Sequence, residues 1–588
     1  MSWEGWLTLV IVLATIVAMV RDLVAPAVAV LGATTILLLV GVIDSDEAFA
    51  GFSNSAPLTV AVMYVLAAAA SKSGVLQPLI SRSLDARAGD RRNLARLLFP
   101  VAAASSALNN TPIVAALVPE VSSWAARHGK ALSRFLMPIS FAAILGGTVT
   151  LIGTSTNLVV SGLLEAAGHE PLGFFELAPV GLPVAVAGVA LVVLAAPRVL
   201  PDRGSTRREL TELAREFVVD LRVIAAGPLD GSTVESGGLR HQAGVFLVQL
   251  ERSGDSIAPV APTTRLRGGD RLRFAGKADN VIDLLAIPGL ESGEDEVVGF
   301  DVGRSSFFEA VVGSSSPLVG RTLRQSEFRG LYQAAVVAIH RAGERVDAKL
   351  GEVHLRVGDT LVLLADPGFH TRWRDRRDFL LVSPLGATPP PVMRHRLPVA
   401  LIFTAVVLLA SLTPMPILHA ALLGALAVLV LGILTPGEAR NAIDLDVILL
   451  IAGGFGLGEA MVSSGLADVI ADGVVGSLGE LGPVGALAGV AVATVVLTEM
   501  ISNAAAAIIL FPIALATAAG LGLDPRGFAV AVAISASASF LTPIGYQTNV
   551  MVYGPGGYRF GDYARLGLPI TLLVLGTVLA VVPVAWPL

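Results

Sequence analysis

Long apolar runs fill the two ends of the chain, and a block of mixed polarity separates them. The runs in residues 1–200 and 394–588 are of helix length, about 17–25 residues, which spans a bilayer as an α-helix. Residues 201–396 instead carry short strand-like runs between polar turns, such as residues 243–251 and 359–366. The pattern predicts an α-helical polytopic membrane protein with inserted soluble α+β domains.

The middle block contains an internal repeat. The sequence PLDGSTVESGGL begins at Pro228 and PLVGRTLRQSEF begins at Pro317. Each is followed by a strand-like run, the motif Leu-Arg-x-Gly-Asp and a second strand-like run. The repeat predicts one domain over residues 207–292 and another over residues 298–383.

Both copies resemble the C-terminal domain of potassium-transport regulators, called TrkA-C or RCK-C. The resemblance implies small α+β domains that pair and in some proteins bind a small regulatory ligand. A dimerisation or scaffolding role without a ligand is the alternative. The nucleotide-binding half of such regulators is not visible in the sequence. We expect the glycine-rich run at residues 453–460 to serve helix packing, because it lies in an apolar segment.

The two membrane-like blocks, residues 1–200 and 394–588, also repeat each other. TLIGTSTN, beginning at Thr150, matches TPIGYQTN, beginning at Thr542, at an offset of 392. NNTPIVAALVP, beginning at Asn109, matches SNAAAAIILFP, beginning at Ser502, at an offset of 393. Such polar, glycine- and proline-containing motifs inside apolar stretches are typical of hairpin tips and broken helices.

Basic residues predict the orientation of the two halves, because lysine and arginine concentrate in cytoplasmic loops. Residues 97–121 are apolar and have basic residues on both sides, which predicts a re-entrant hairpin. The same reasoning places residues 201–396 in the cytoplasm, inverts the second half, and makes residues 468–480 an acidic external loop. The prediction is an inverted repeat with two re-entrant hairpins and two discontinuous helices. This is a secondary-transporter architecture, here in the plasma (cytoplasmic) membrane.

Composition narrows the class of function. The chain has 588 residues, 54% hydrophobic and 15% charged, and its formal net charge of −6 argues against a nucleic-acid partner. It has no cysteine, which excludes a disulfide or a thiolate metal site. Without a P-loop or a Ser/His/Asp arrangement, we predict neither an enzyme nor a primary pump, and no organic cofactor. Trp3 and Trp6 and the absence of a basic start predict a retained first helix rather than a signal peptide.

Short polar residues at the two tips suit a cation and an anion together. Asn, Ser and Thr offer oxygen ligands to sodium without adding a buried charge. The apolar regions around the motifs contain no lysine or arginine, so we expect helix N-termini, amides and bound cations to hold an anionic substrate. Glu499, about one turn before Asn503, is ionisable and lies in an apolar segment. It is a candidate cation site, proton carrier or cap for a buried polar network.

The motifs resemble those of the divalent-anion:sodium symporter (DASS) family within the ion transporter superfamily. That family carries Ser-Asn-Thr at each hairpin tip, and the tips here read Asn-Asn-Thr at residues 109–111 and Ser-Asn-Ala at residues 502–504. Its broken helices carry a Gly/Ala-Thr-Pro-Pro-Asn-like loop, matched at residues 153–157 and 545–549. The resemblance implies sodium as the coupling ion, homodimers in membrane lipid and elevator-type alternating access.

The resemblance also implies the residues of three sites, of which the substrate site would take a small inorganic or carboxylate anion. Sodium site 1 would use Ser105, Asn109, Asn110 and the carbonyl of Gly153. Sodium site 2 would use Thr498, the carbonyl of Ile501, Asn503 and the carbonyl of Gly545. The substrate site would use Asn110, Thr111, Thr154, Ser502, Asn503, Tyr546 and Thr548.

The choice of anion depends on departures from the family pattern. Ala504 replaces the second threonine and removes a hydroxyl that would meet a carboxylate. An inserted TrkA-C pair and a Tyr-Gln-Thr-Asn loop look like the sulfate-transporting branch. We therefore predict sodium-coupled symport of a divalent anion, sulfate in particular. The alternatives are a sodium-coupled di/tricarboxylate symporter, a cation/proton antiporter that uses Glu499, and a sensor that signals without transport.

Overall fold

A computed structural model gives the fold of the chain. The residues that it describes are 1–21, 23–75, 83–202, 218–239, 245–252, 255–257, 259–276, 287–292, 306–313, 316–341, 344–346, 348, 350–366, 368–373, 376, 378–384, 396–478 and 481–587. The first residues of the two predicted soluble domains, 207–217 and 298–305, lie outside the described residues.

Helices fill both membrane-like halves. In the first half they are α1 (Trp3–Val20), α2 (Pro26–Val40), α3 (Ser45–Ser53), α4 (Ser55–Ser73), α5 (Asp90–Ser105), α6 (Asn110–Arg127), α7 (Leu136–Gly147), α8 (Ser155–Ala166) and α9 (Ala178–Val199). In the second half they are α12 (Arg396–Leu412), α13 (Ile417–Val430), α14 (Pro436–Ala442), α15 (Leu445–Ser463), α16 (Leu466–Leu478), α17 (Pro483–Thr498), α18 (Asn503–Gly520), α19 (Pro525–Ala536), α20 (Gln547–Tyr553) and α21 (Phe560–Ala585).

Both predicted motifs interrupt helices in both halves. Residues 106–109 join α5 to α6, and residues 499–502 join α17 to α18, so each half has a helical hairpin. Residues 148–154 separate α7 from α8, and residues 537–546 separate α19 from α20, so each half also has a broken helix. That the hairpins are re-entrant and the halves inverted stays a prediction.

A further matched pair in the two halves is a capping box. Asp44 and Glu47 each accept a hydrogen bond from the other's backbone amide at the start of α3. Thr435 and Glu438 do the same at the start of α14, at an offset of 391. Such a box satisfies amides at a helix start that the helix cannot satisfy itself. The motif Asp-Ser-Asp-Glu therefore begins a helix, and sequence inspection missed its counterpart Thr-Pro-Gly-Glu.

Packing follows the internal repeat. Helix α4 packs against α12, α13 and α14 of the other half, and α15 packs against α1, α2 and α3 in the matching way. Helix α20 contacts α6 and α7, just as α8 contacts α18 and α19. The two halves therefore pack against each other at two places. Helices α4 and α15 make one set of contacts, and the broken helices make the other.

Six helical segments among the described residues are long and apolar enough to cross a membrane. They are Trp3–Val20, Ser45–Ser73, Ala178–Val199, Leu445–Ser463, Asn503–Gly520 and Phe560–Ala585. The prediction of a helical polytopic membrane protein with small inserted sheet domains is confirmed.

One loop prediction was wrong. Residues 468–480 were expected to form an acidic external loop, but α16 covers Leu466–Leu478. Its buried side chains are Leu466, Ala467 and Ala471, which lie on one face and pack towards α17 and α18. An apolar face of this kind is the sequence signal of a helix, and the acidic residues between its apolar positions obscured it.

The glycine-rich run in α15 serves helix packing. A methyl group on Gly453 would lie 2.6 Å from Leu31 Cδ2, and one on Gly456 would lie 2.6 Å from Thr34 Cγ2. The hydroxyl of Thr34 also donates to the carbonyl of Gly453 across 3.0 Å. Small residues here let α2 approach the backbone of α15, as the sequence predicted.

The inserted block forms two lobes with the same topology. The first lobe contains β1 (Val218–Val223), β2 (Val245–Arg252), β3 (Asp255–Ile257), β4 (Arg271–Gly276) and β5 (Leu290–Ser292). The second lobe contains β6 (Ser306–Val312), α10 (Phe328–Tyr332), β7 (Ala334–Arg341), β8 (Glu344–Arg345), β9 (Thr360–Ala365), α11 (Phe369–Trp373) and β10 (Phe379–Pro384). Their strand orders, β3-β2-β4-β1-β5 and β8-β7-β9-β6-β10, are equivalent.

A buried ion pair recurs in the two lobes. The Arg252 guanidinium donates to Asp270 in the first lobe, and Arg341 donates to Asp359 in the second, with nitrogen–oxygen distances of 2.7–2.8 Å. Each aspartate belongs to one of the Leu-Arg-x-Gly-Asp motifs. The pairing explains the conserved spacing of the internal repeat. The resemblance to TrkA-C domains stays a prediction.

Candidate functional site

The first hairpin tip is built around Asn110. The Ser105 hydroxyl donates to Asn110 Oδ1 across 2.5 Å, and Asn110 Nδ2 donates to Tyr546 Oη across 3.1 Å. Asn109 stands at the N-cap of α6, but its side chain makes no capping hydrogen bond. Ser105, Asn109 and Asn110 are each at least nine-tenths buried. The tip therefore presents amide oxygens and the start of an 18-residue helix at one buried point.

One asparagine fastens the first break. Asn157 Nδ2 donates to the carbonyls of Gly147 (3.1 Å) and Thr150 (2.8 Å). The Thr150 hydroxyl in turn donates to the Ser106 carbonyl of the tip. A methyl group on Gly153 would lie 2.5 Å from the Gly147 carbonyl oxygen, so glycine is needed there. These bonds satisfy carbonyls that the broken helix leaves free.

The second hairpin tip repeats this plan with more hydroxyl donors. Thr498 Oγ1 lies 2.9 Å from Asn503 Oδ1 and 2.6 Å from the Ala536 carbonyl oxygen, and its proton serves one of them at a time. The Ser539 hydroxyl lies 2.7 Å from Asn503 Oδ1. The predicted sodium ligand Asn503 Oδ1 is therefore already bonded within the protein.

The second break is fastened like the first. Asn549 Nδ2 donates to the carbonyls of Ser539 (2.8 Å) and Thr542 (3.4 Å), which matches the bonds of Asn157. The Thr542 hydroxyl donates to the Glu499 carbonyl across 3.2 Å, which matches the bond of Thr150 to Ser106. The two tips and breaks are thus repeats in their hydrogen bonds as well as in their sequence.

Glu499 is the main departure from the repeat. Its Oε1 accepts from the backbone amides of Phe540 and Leu541, both at 2.7 Å, and its Oε2 accepts from the amide of Thr542 at 2.9 Å. The matching residue in the first half is Ser106, which has no carboxylate. Glu499 is nine-tenths buried and holds the three loop amides that follow α19. Such charge-assisted bonds are strong, so the geometry gives Glu499 a structural task.

Side chains from the second break reach the first tip. Besides the bond from Asn110 to Tyr546, the Thr111 hydroxyl donates to Gln547 Oε1 across 3.3 Å. The Tyr546 hydroxyl also lies against Thr154, the N-cap residue of α8. The predicted substrate residues Asn110, Thr111, Thr154 and Tyr546 therefore meet at one place, between the two halves.

Ser140 of α7 joins the halves a second time. Its hydroxyl lies 2.8 Å from Thr548 Oγ1 and 2.7 Å from Asn549 Oδ1. At the matching offset of 392, α19 carries Val532, which is fully buried and cannot donate. The halves therefore differ at this contact, although the same helices meet.

Buried oxygens without a hydrogen-bond partner lie at the first tip and break. Within the described residues they include Asn109 Oδ1, Thr156 Oγ1 and Asn157 Oδ1. Their counterparts in the second half are bonded, since Ser502 Oγ accepts from the Ala505 amide (3.4 Å) and Ser140 serves Thr548 and Asn549. Unpaired buried acceptors are costly, and a cation can satisfy them.

The predicted site residues lie in two groups, one at each tip, and the hydrogen bond from Asn110 to Tyr546 connects them. Ser105, Asn109, Asn110 and Gly153 lie at the first tip, and Thr498, Ile501, Asn503 and Gly545 lie at the second. Of the predicted substrate residues, Thr548 faces Ser140 and Ser502 caps α18. Sequence inspection missed Ser140 and Ser539, which carry no motif signal, whereas Gln547 stands out inside the TPIGYQTN motif as a residue that could select the anion.

Comparison with known proteins gives the family. The profile of the family called CitMHS, described as citrate transporter, matches residues 10–534. The chain belongs to the CitMHS family. The predicted membership of the ion transporter superfamily is thereby confirmed. The family also supports a transport role.

Relatives of this CitMHS chain extend over nearly its whole length. A Chlamydomonas reinhardtii protein whose name refers to the sulfur deprivation response is 38% identical, with 94% of this chain and 97% of that protein covered. An uncharacterized transporter of Synechocystis is 34% identical, with 98% and 96% covered. Sodium/sulfate cotransporter 1 of C. reinhardtii is 25% identical, with 98% and 89% covered.

Among solved structures, the YdaH transporter of Alcanivorax borkumensis aligns with this CitMHS chain at a TM-score of 0.43 and 14% identity. The alignment covers 97% of this chain and 98% of that chain.

Proposed function

We propose that the protein is a sodium-coupled symporter of a divalent anion, and that the anion is sulfate. The observation that carries the proposal is the pair of matched tips, where neutral buried oxygens and helix N-termini meet between the halves. The names of relatives support the choice of ions, since sodium/sulfate cotransporters 1 and 2 of C. reinhardtii each align with 98% of this chain.

Sodium would bind first where the protein leaves an oxygen free. Asn109 Oδ1 is buried beside Asn110 and the Ser105 hydroxyl, and none of the described residues bonds it. Within the described residues, no group of three or more His, Asp or Glu side chains could hold a metal ion. Neutral oxygens are therefore the expected sodium ligands, with the carbonyl of Gly153 completing sodium site 1. At sodium site 2, sodium would compete with the hydroxyl of Ser539 for Asn503.

The anion would lie where the first tip meets the second break. The Tyr546 hydroxyl, the Asn110 amide and the Thr111 hydroxyl are neutral donors that converge there. Both α6 and α18 begin at the tips, and each helix N-terminus carries a partial positive charge. Bound sodium would supply the remaining positive charge. Because sodium and sulfate would favour each other's binding, uptake of one would depend on the other.

The packing supports movement of one unit against another. We call α5–α9 with α17–α21 the transport unit, and α1–α4 with α12–α16 the scaffold. Helices of the transport unit pack mainly on one another, and α4, α15 and α16 provide most of the contacts with the scaffold. Elevator-type alternating access would carry the tips past α4, α15 and α16. The protein would work as a homodimer in the plasma membrane, with residues 201–396 in the cytoplasm as a TrkA-C pair.

Uptake of radioactive sulfate into proteoliposomes tests the proposal. We expect an inward sodium gradient to drive sulfate uptake, and Asn110→Ala and Asn503→Ala each to abolish it. Asn441→Ala, at an exposed residue of α14, is the matched control and should transport normally. Undiminished uptake in both tip variants would refute the site assignment, and sulfate uptake without any sodium requirement would refute the coupling.

A di- or tricarboxylate is the second candidate substrate, because the family is described by citrate transport. Competition decides between the two anions. If sulfate is the substrate, a tenfold excess of citrate or succinate should leave sodium-driven sulfate uptake unchanged. If a carboxylate is the substrate, that carboxylate should be accumulated itself and should compete with sulfate.

A cation/proton antiporter that uses Glu499 is less well supported by the geometry. The carboxylate accepts three backbone amides, and protonation would remove part of that support for the second break. Proton flux should therefore be absent during sodium-driven uptake. Sodium efflux driven by a pH gradient, without an anion, would instead favour the antiporter.

A further inference from the structure

The second lobe packs directly against the transport unit. Val311 of β6 and Leu381 of β10 are buried, and they belong to the same apolar core as the membrane helices. They are cross-strand partners on one face of the sheet, while Ala310, Val312 and Val382 belong to the separate core of the lobe. Strand β10 contacts α6. One face of the lobe is therefore covered by membrane helices.

A tight turn of the second lobe seats against the end of α20. Gly358, at φ +82°, precedes β9, and a methyl group on it would lie 3.6 Å from Val550 and 3.7 Å from Tyr553. A methyl group on Gly554 would overlap the Thr360 hydroxyl oxygen and lie 3.3 Å from the Gly358 carbonyl oxygen. Gly554 therefore has no room for a further carbon atom, whereas a carbon added to Gly358 would make ordinary van der Waals contact with α20.

The first lobe lacks both contacts at equivalent positions. Its matching cross-strand pair is Arg222 with Glu291, where the second lobe has two apolar residues. The matching turn residue Gly269 has the same left-handed conformation, φ +90°, but open space around it. The residue that follows the turn aspartate is Arg271, which is exposed, where the second lobe has buried Thr360. The docking face is therefore specific to the second lobe.

Helix α20 connects this docking face to the candidate site. It has only seven residues, Gln547–Tyr553, between the break and the turn that starts at Gly554. A helix this short is unstable without external packing. Its first residue bonds Thr111, and the preceding Tyr546 bonds Asn110, while its last turn rests on the lobe. The lobe thus touches α6 and α20, and both helices begin at the site.

We propose that the second lobe is a built-in brace for the site, which sets the position of α20 and so holds Tyr546 and Gln547 against the first tip. Lifting the lobe from Gly554 frees α20 and opens that contact. By linkage, whatever binds the lobe in one position also changes the affinity of the site. The brace does not depend on which anion is carried.

Thiol labelling tests the brace without any substrate. The chain has no cysteine, so Gln547→Cys introduces a single, partly exposed thiol at the site. Adding Gly554→Val should undock the lobe and raise the labelling rate of that thiol at least fivefold. Gly561→Val is the matched control, because open space surrounds this exposed glycine of α21. Equal labelling rates in the Gly554 and Gly561 variants would overturn the proposal.

A compensating change separates undocking from a general folding defect. Gly554→Ala should also raise labelling, and Thr360→Gly in the same chain should return it to the parent rate by removing the overlapping hydroxyl. Labelling that stays high in the double variant would show that the steric contact is not the cause, and would overturn the proposal.

Disulfide cross-linking tests the docked position itself. The Thr360 Cβ lies 3.2 Å from a Cβ built on Gly554, near the separation of about 3.8 Å in disulfides. Thr360→Cys with Gly554→Cys should therefore cross-link on oxidation. The first-lobe pair, Arg271→Cys with Gly554→Cys, should not. If the Thr360 pair fails to cross-link, or both pairs do so equally, the lobe is not docked as proposed. Absence of sulfate uptake would leave this result untouched, which separates the brace from the proposed function.

Discussion

The two hairpin tips share a hydrogen-bonding plan but differ in what satisfies their buried oxygens. Ser105 serves Asn110 as Thr498 serves Asn503, and Asn157 fastens its break as Asn549 does. At the second tip, Ser539 and Glu499 complete the network from within the protein. At the first tip, Asn109 Oδ1 has no partner in the part of the chain that the structure describes.

The difference indicates unequal roles for the two tips. A buried acceptor without a partner favours a bound cation, because the ion recovers the lost solvation. The second tip gains less from an ion, since the counterpart of Asn109 is Ser502, whose hydroxyl oxygen already accepts from the Ala505 amide. We infer that sodium binds more tightly at the first tip and that the second is held in shape mainly by the protein.

The largest effect should come from Glu499→Gln. The side-chain amide of glutamine would point its N–H at one of the three backbone amides. The remaining hydrogen bonds would be accepted by a neutral oxygen instead of a carboxylate. We expect the free energy of unfolding to fall by about 3–4 kcal/mol, since bonds to charged groups contribute about 1.5–3 kcal/mol each. Thermal unfolding in detergent measures the loss.

Ser106→Ala, at the matching position of the first tip, is the control for that variant. Among the described residues, the Ser106 hydroxyl bonds only the carbonyl of Ala103 in the last turn of α5, so we expect no more than about 0.5 kcal/mol. Equal losses in the two variants would contradict the distinction between the tips.

The next effect should come from the contact that joins the halves at Ser140. Ser140→Ala would leave Asn549 Oδ1 without its donor and Thr548 Oγ1 without its hydroxyl partner, at a cost of about 2–3 kcal/mol. In the opposite direction, Val532→Thr would supply a donor facing Thr156 and Asn157 and should stabilise by about 1 kcal/mol. Unfolding midpoints of both variants measure these changes.

Val530→Thr is the control, because this valine of α19 is equally buried but does not occupy the position that matches Ser140. Its added hydroxyl should destabilise the protein. If Val532→Thr destabilises the protein as much as Val530→Thr, its added hydroxyl does not reach the unpaired oxygens of Thr156 and Asn157.

A third effect separates the tips by their response to sodium. Asn109→Ala removes an oxygen that no described residue bonds, so it should cost little stability without sodium. It should also weaken the apparent sodium affinity at least tenfold, or about 1.4 kcal/mol. Ser502→Ala should do the reverse, losing about 1 kcal/mol of capping while keeping the sodium response. Thermal shifts over a sodium titration measure both, and an unchanged titration in Asn109→Ala would exclude this site.

The sequence predicted the features that depend on local chemistry. Proline or glycine clustered with asparagine and threonine inside an apolar run favours a helix interruption, so the hairpins and broken helices could be placed by inspection. The repeat offsets of 392 and 393 then predicted which residues correspond. Asn157 and Asn549 do make matching bonds, although their shared role as fasteners was not foreseen.

Contacts between distant segments could not be predicted. Ser140 lies in an apolar helix with no repeat partner, and its importance comes only from the packing of α7 on α20. Glu499 could be singled out as buried and ionisable, but the three amides that bind it become available only after α19 ends. The docking of the second lobe depends on Val311 and Leu381, which read as ordinary strand residues.

The smallest expected effect is the difference in pH dependence between the two capping boxes. Glu438 caps α14 and also pairs with Lys72, and hydrogen bonds from Lys72 and the Thr435 amide lower its pKa from 4.5 to about 2. Because the pKa is lower in the folded protein, the stabilisation is complete above about pH 4.5 and is lost as the pH falls towards 2. The pair is two-fifths exposed, so we expect less than about 1 kcal/mol.

The difference in unfolding free energy between the parent and Glu438→Gln, measured from pH 7 down to pH 3, should shrink. Glu47→Gln removes the box of α3, which has no lysine partner among the described residues, and should show a smaller pH dependence. Equal pH dependence in both variants would show that Lys72 contributes nothing to the difference between the boxes.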